Sequence, residues 1–213
     1  MSASSISSSH LGTFSQLSNG DRTDQHITTG FHSASELKQL FMLVGKSFDV
    51  VQVSRGALHG QFSLTGLGSM VLLEIRTNQR LLLNGDRGPD CMSFCFEATG
   101  LADEHLMFNK PIAPYSLNGF RQGQKESHFQ LTANTTTYLI ILSISRFNAF
   151  ISYCEREDLI EQLEASNALQ ITPRMHAHFR KICQRLLVKP ALTSEKKPAN
   201  NKSSLRRICK VYK

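Results

Sequence analysis

The chain has 213 residues, of which 40% are hydrophobic and 19% are charged. This length and composition predict one globular domain with further segments outside its core, and they exclude collagen-like, coiled-coil and wholly disordered chains. Residues 174–213 contain 12 Lys and Arg against one acidic residue, whereas residues 1–173 contain 12 Lys and Arg against 16 acidic residues. The net charge of +7 therefore arises from a basic C-terminal segment and not from a basic domain.

Three features of the sequence concern the location of the protein in the cell. No apolar stretch approaches the ~18–20 residues needed to cross a bilayer. The first ten residues have neither the basic start nor the apolar block of a secretory signal. The five Cys are irregularly spaced, which is typical of free thiols in a reducing compartment. We therefore expect a cytoplasmic protein that does not associate with membranes.

The N-terminal part of the chain has a polar composition. Residues 1–30 are rich in Ser, Thr, Gly and Asn, and eight of the first 18 residues are Ser. This composition predicts a disordered lead-in. Residues 33–44 then have the pattern of a short helix, beginning at Ser33 or Ser35.

The middle of the chain, about residues 47–145, consists of eight short runs rich in β-branched and aromatic residues. The runs recur roughly every ten residues and are separated by turn residues, with no helical segment between them. This rhythm is typical of an all-β sandwich or barrel and argues against a parallel α/β sheet. The runs are residues 47–54, 59–65, 70–76, 80–85, 91–98, 105–110, 127–133 and 137–145.

The pattern becomes helical towards the C-terminus. Ser152 and Glu155 fit a capping box, which predicts a helix that extends to about residue 165. Thr172 and Pro173 fit an N-cap and a first-turn proline, which predict a second helix up to residue 188. We therefore expect a hairpin of two helices between about residues 152 and 188.

The second helix carries a regular apolar seam. Its four members are spaced by four, three and four residues, so they share one helical face. They are Met175, Phe179, Ile182 and Leu186. Such a seam packs either against a second copy of the helix or against the chain's own β-domain. Residues 191–213 beyond it are polar and basic, and predict a disordered linker or tail.

The common signatures of catalysis and metal binding are absent from the sequence. Neither the G-x-S-x-G pattern nor the glycine patterns of phosphate and dinucleotide loops occur. His176 and His178 point about 200° apart on a helix and cannot share an ion, so we expect both at the surface. His59, His105 and His128 each stand alone. We predict that the protein is not an enzyme and has no catalytic residues, metal site or cofactor. The alternative, a cupin-type metal-dependent enzyme, requires a metal triad on the strands.

A second alternative rests on basic residues. The helix 172–188 carries four of them away from its apolar seam: Arg174, Arg180, Lys181 and Arg185. They form either a solvated face or, together with the basic tail, a surface that neutralises the phosphates of a nucleic acid.

Two stretches of the sequence resemble a known family. The stretch VVQVSRGALHGQFSLTGLGSMVLLEIR (50–76) resembles the early strands of the N-terminal half of AraC-type bacterial transcription regulators, and residues 141–187 resemble its last strand and helical end. The resemblance covers roughly residues 30–190. It implies an α+β fold, with a cupin-like antiparallel β-barrel followed by a two-helix hairpin and disordered tails at both ends. It also implies that residues 31–190 form a domain that binds a small-molecule effector and dimerises through its helices.

The resemblance also implies a limit to the function of this chain. In that family a second half, with two helix-turn-helix units, binds promoter DNA. Only 23 residues follow Pro190, and they have no apolar periodicity, so we expect a regulator truncated before that half. Sequence-specific DNA binding is then not expected of this chain alone. We expect it to form a homodimer, or a heterodimer with a full-length relative.

The strands provide a candidate effector pocket, formed by residues 70–76 and 91–98. The aromatic residues favour a register in which Met92, Phe94 and Phe96 face into the barrel and Cys91, Ser93 and Cys95 face outward. Arg76 ends an apolar strand and either pairs with an anionic effector near the barrel mouth or is an ordinary exposed strand end.

Overall fold

The computed structural model describes residues 26–87, 90–98, 106–122 and 124–188. Most of the expected lead-in and the whole expected basic tail therefore lie outside the described residues. The strands are β1 His26–Phe31, β2 Ser47–Gln52, β3 Gly60–Leu67, β4 Met70–Thr77, β5 Leu81–Asp86, β6 Cys91–Glu97, β7 Leu106–Met107, β8 Lys110–Pro111, β9 Ser116–Asn118, β10 Glu126–Leu131, β11 Thr135–Ser143 and β12 Ala168–Gln170. The helices are α1 Ala34–Met42, α2 Ile144–Tyr153, α3 Asp158–Ser166 and α4 Pro173–Leu187.

Two of the predicted helix starts are confirmed by their capping hydrogen bonds. The Ser33 hydroxyl accepts a hydrogen bond from the Glu36 amide at the start of α1. The Thr172 hydroxyl accepts one from the Met175 amide at 3.2 Å, and Pro173 occupies the first turn of α4. Both caps bind an amide that has no partner within its helix, which is why these short sequences identify a helix start.

The predicted two-helix hairpin is wrong, because three helices follow β11 in the described part of the chain, with β12 between the second and the third. The first, α2, begins directly after β11, and the Ser143 hydroxyl caps it by accepting from the Arg146 amide. Its end at Tyr153 makes the expected capping box at Ser152 impossible, and Glu155 adopts a left-handed conformation with φ of 54°. The sequence 144–153 was hard to recognise as a helix because its β-branched and aromatic residues continue the composition of the strand before it.

All eight predicted runs overlap observed strands, and they belong to two antiparallel sheets. One sheet has seven strands in the order β1-β3-β4-β11-β6-β9-β12, and the other has five in the order β2-β5-β10-β7-β8. Ladders join strands only within each sheet, so no closed barrel forms across the described residues. The structure is thus α+β, built on two antiparallel sheets.

Strand β1 corrects the expected extent of the lead-in. It covers residues 26–30, which composition assigns to a disordered segment, and it pairs along its whole length with β3. Its sequence, HITTGF, is too short and polar to predict a strand. The strand forms because β3 offers it a hydrogen-bonding partner, which the local sequence does not reveal.

The seven-stranded sheet is covered on both faces. One face and helix α1 pack against the five-stranded sheet and form what we term the inter-sheet core. The opposite face packs against α2, α3 and α4 and forms what we term the helix-side core. Because successive strand residues point to opposite faces, Leu73 of β4 belongs to the inter-sheet core and Leu72 to the helix-side core.

Candidate functional site

The register of β6 is opposite to the one expected. Cys95 belongs to the inter-sheet core, whereas Met92 and Phe96 lie in the helix-side core with Phe94 packed against it. The expectation was wrong because it assumed that one face of the strand is solvent-exposed. Both faces of this sheet are buried, so the large side chains had a second place to pack.

Of the two predicted pocket aromatics, Phe96 packs against the helices, whereas Phe94 packs against the helix-side core and also lines a small cavity described below. The Phe96 ring stacks on Tyr138 with a centroid distance of 5.0 Å and lies 4.9 Å from the Phe179 ring of α4. The Phe94 ring stacks on Phe120 at 5.1 Å. This arrangement anchors the helices to the sheet.

Arg76 lies on the same helix-side face of its strand and already has a partner. Its Nε lies 2.8 Å from the Glu74 Oε1, and the Glu74 side chain is buried while that of Arg76 is 53% exposed. Glu74 also bonds the Tyr138 hydroxyl, and burial together with this carboxylate raises the pKa of Tyr138. Arg76 thus neutralises a buried carboxylate of the fold. Its role in effector binding stays a prediction.

A small cavity lies between the two sheets. Its volume is about 20 Å³, which is room for roughly one water molecule. Apolar side chains form part of its wall, and polar side chains come from Arg87, Ser93, Cys95, Gln124, Ser127 and His128. The inward face of β6 therefore contributes Ser93 and Cys95, the residues that the sequence had placed outward.

Arg87 is the most deeply buried charged residue of this region, with 2% of its surface exposed. Its guanidinium donates to three main-chain carbonyls: that of Arg121 at 2.5 Å, that of Ser93 at 3.3 Å, and that of Gly119. Lys46, which is 3% exposed, donates through Nζ to the carbonyl of Arg87 itself. Lys46 and Arg87 are therefore two buried cations in direct contact at one end of the inter-sheet core.

Burial shifts the pKa values of the two cations and of the Cys95 thiol in opposite directions. Loss of hydration lowers the pKa of Lys46 and that of Arg87, although an arginine stays protonated at neutral pH. Burial raises the pKa of Cys95 to about 12, so this thiol is neutral and a poor nucleophile. The positive charge of this end of the core is consequently not balanced by a thiolate.

The segment 119–122 connects Arg87 to the helices. The Gly119 amide donates to the Asn167 carbonyl at 2.9 Å, and the Arg121 amide donates to the Asn167 Oδ1 at 2.8 Å. The Gln122 amide donates to Glu164 of α3 at 2.7 Å. A continuous set of hydrogen bonds therefore runs from the cavity wall, through Arg87 and this segment, to the end of α3.

Helix α4 packs through a stripe that shares only Phe179 with the predicted seam. Its buried residues are His176, Cys183 and Leu187, with the half-buried Phe179 between them. Met175 and Ile182 are half-buried, and Leu186 is 37% exposed. The two stripes have nearly the same spacing, and the sequence favoured the more hydrophobic one. Whether the predicted seam pairs with a second copy stays a prediction.

His176 was expected at the surface and is instead buried. Its Nε2 bonds the Glu97 carbonyl at 2.8 Å, and its ring meets those of Phe96 and Tyr115 edge-on. Burial lowers the pKa of His176, because the charged imidazole would lose its hydration. The exposed His178 agrees with the expectation.

Another histidine pair was missed by the sequence analysis. The β1–β3 register brings His32 and His59 together, with their Nδ1 atoms 3.0 Å apart. Two imidazoles are fewer than the three protein ligands of a catalytic zinc site. The described residues contain no group of three or more His, Cys, Asp or Glu arranged for a metal ion. His105 lies outside them.

The basic residues of α4 divide into two sets. Arg174, Lys181 and Arg185 are exposed, whereas the Arg180 Nη1 donates to the Ala98 carbonyl at 3.2 Å. The predicted phosphate-binding surface consists of α4 and the basic tail, and these three exposed cations are its described part.

No helix in the part of the chain described here is long and apolar enough to span a membrane. No family model, curated protein or solved structure matches the chain.

Proposed function

We propose that this chain is the effector-sensing and dimerisation module of an AraC-like transcription regulator. Its two antiparallel sheets followed by helices support a cupin-like relationship, since cupins also enclose their core between two sheets. The proposed effector occupies the space between the sheets, and the helices carry the response.

The observation that carries this proposal is the connection between cavity and helices. Arg87 lines the cavity and bonds the main chain of Ser93 and of the segment 119–122, which in turn bonds Asn167 and Glu164. A ligand that shifts Arg87 must therefore move or strain the contacts of α3. Such a contiguous network is the physical means by which occupancy of one site changes the pose of a distant helix.

The dimerisation part of the proposal rests on apolar side chains that the fold leaves in solvent. Phe150 and Tyr153 of α2 are 45% and 54% exposed, and Leu186 of α4 is 37% exposed. Helices that present both a buried stripe and exposed large apolar residues suit pairing with a second copy or with a full-length relative.

The test combines ligand screening with a measurement of self-association. A small-molecule library is screened by thermal unfolding, and each stabilising compound is added to the protein in analytical ultracentrifugation. We expect at least one compound to raise the Tm by about 3–6 °C at tenfold excess over its Kd and to change the dimer dissociation constant. A protein that stays monomeric at high concentration, with and without stabilising compounds, contradicts the proposal.

A second candidate, nucleic-acid binding, is favoured by the three exposed cations of α4. We infer that any such binding is sequence-blind and decreases steeply with salt, at a log–log slope of up to about 0.9 per phosphate contacted. Gel-shift titrations on a promoter fragment and a scrambled duplex at two salt concentrations measure this. A hundredfold preference for the promoter would contradict the inference.

A further inference from the structure

Lys46 and Arg87 form an unusual concentration of buried positive charge. The hydrogen bonds described above join both side chains to main-chain carbonyls. Among the residues that the structure describes, neither cation belongs to an ion pair, unlike Lys38, Arg76 and Arg156 at the surface. Carbonyl dipoles satisfy the donors but do not cancel the charge, and buried cations in proteins are normally paired with an anion.

The cavity beside Arg87 also contains a buried polar group. The Ser93 Oγ is inaccessible to solvent and finds no hydrogen-bond partner among the described residues. Ser93 and Arg87 both line the cavity, so an unused hydroxyl donor and a buried cation meet at the same small space. A hydroxyl donor next to a cation is complementary to an anion and to neither a cation nor an apolar group.

The remaining wall agrees with a small anionic group. His128 and Cys95 add polar surface, while Phe48 and Phe129 exclude water from one side. The volume of about 20 Å³ is room for roughly one oxygen-sized atom, and the cavity is partly open, so a ligand would insert only the oxygen end of its head group. The carboxylates of Asp86 and Glu164 act electrostatically on Lys46 and Arg87, respectively, and offset part of their positive charge.

We propose that the inter-sheet cavity beside Arg87 binds a monoanionic group, the carboxylate of a small-molecule effector. Ser93 donates its hydroxyl hydrogen to one carboxylate oxygen, Arg87 supplies the opposite charge, and Lys46 adds a longer-range attraction. This inference rests on the proposed function where it calls the ligand an effector. The anion site itself follows from the charges and the cavity.

The experiment measures thermal unfolding of the full chain with sodium acetate and sodium benzoate. Acetamide and benzamide serve as neutral probes of matched shape, and sodium chloride tests a free inorganic anion. We expect a Tm increase of about 3–6 °C with a carboxylate at tenfold excess over its Kd and less than about 1 °C with its amide. If chloride gives the same increase, the site takes free inorganic anions, and the carboxylate assignment is overturned.

Three variants separate binding from a general effect of salt. Ser93→Ala removes the free hydroxyl without adding volume, and Lys46→Met removes a charge while keeping the shape of the chain. Lys38→Met is the matched control, because Lys38 is a surface lysine whose partner is Asp49. We expect Ser93→Ala and Lys46→Met to lose at least half of the carboxylate-induced shift and Lys38→Met to retain it. An undiminished shift in both site variants, or equal effects of carboxylate and amide in the wild type, overturns the anion site.

The outcomes also distinguish this inference from the proposed function. Carboxylate binding that disappears in Ser93→Ala but leaves the dimer dissociation constant unchanged supports the anion site and counts against a sensor. A neutral compound that stabilises the protein and changes its dimerisation supports a sensor and counts against the anion site.

Discussion

The two faces of the seven-stranded sheet are built differently. Away from its Lys46–Arg87 end, the inter-sheet core is apolar: the rings of Phe41, Phe48, Phe62 and Phe129 pack edge-to-face at centroid distances between 4.8 and 5.8 Å. The helix-side core mixes aromatic rings with buried polar groups, including Glu74 and His176. Apolar aromatic packing stabilises a fold under most conditions, whereas a face that contains titratable groups responds to its surroundings. In the proposed function, the apolar part of the first face is the scaffold, its Arg87 end holds the ligand, and the second face transmits the signal.

The largest expected loss of stability comes from a substitution in the inter-sheet core. Phe62→Ala removes a fully buried ring from the inter-sheet core, and we expect a loss of about 3–5 kcal/mol in the free energy of unfolding, measured by urea denaturation. Met42→Ala is the control, since its side chain is 60% exposed and its loss should stay within about 0.5 kcal/mol. Similar losses in the two variants would contradict the assignment of Phe62 to the scaffold.

Adjacent leucines of α4 test which stripe of the helix-side face is structural. Leu187 is 8% exposed and Leu186 is 37% exposed. We expect Leu187→Glu to reduce the free energy of unfolding by at least about 2 kcal/mol, because it buries a charge, while Leu186→Glu leaves the fold intact and weakens self-association. Urea denaturation and analytical ultracentrifugation provide the two readouts. A dimer unaffected by Leu186→Glu would show that this residue lies outside the interface.

A substitution at Gly119 tests the contact between Arg87 and the segment 119–122, which connects the two faces. Its φ is 108°, and a Cβ would lie 2.4 Å from the Ser93 carbonyl oxygen, so Gly119→Ala must displace the segment that Arg87 binds. We expect a loss of at least about 1–2 kcal/mol in the free energy of unfolding. Gly68→Ala is the control for backbone strain, because Gly68 has a φ of 62° but no atom within 4 Å of its Cβ position. Equal losses would mean that only strain, and not the close approach, is measured.

The smallest expected effect is the pH dependence of stability that buried His176 gives to the helix-side core. Burial places the pKa of His176 below its unfolded value of about 6.5, so the unfolded chain binds more protons as the pH falls. The contribution of neutral His176 is fully present above about pH 6.5 and is lost as the pH falls through the folded pKa. We expect His176→Gln to flatten the dependence of the free energy of unfolding on pH below about 6.5, and the exposed control His178→Gln to preserve it. Parallel curves for wild type and His176→Gln would refute this role.

The sequence by itself determined many of the local elements, although not β1 or α2. Thr172 and Pro173 marked the start of α4, Ser33 was one of two candidate serines for the start of α1, and eight β-rich runs marked strands. These signals are local, because an N-cap hydroxyl and the alternation of a strand act within a few residues of the chain.

The tertiary structure alone decided which face each residue serves. The predictions that Cys95 faces outward and that His176 lies at the surface were both wrong for one reason. A sequence shows periodicity but not what packs against each face. A strand buried on both sides has two hydrophobic faces, and the partner on each face fixes the register. The same reason explains the approach of His32 to His59 and the meeting of Arg87 with Ser93, since residues distant in sequence are brought together by packing and not by any local pattern.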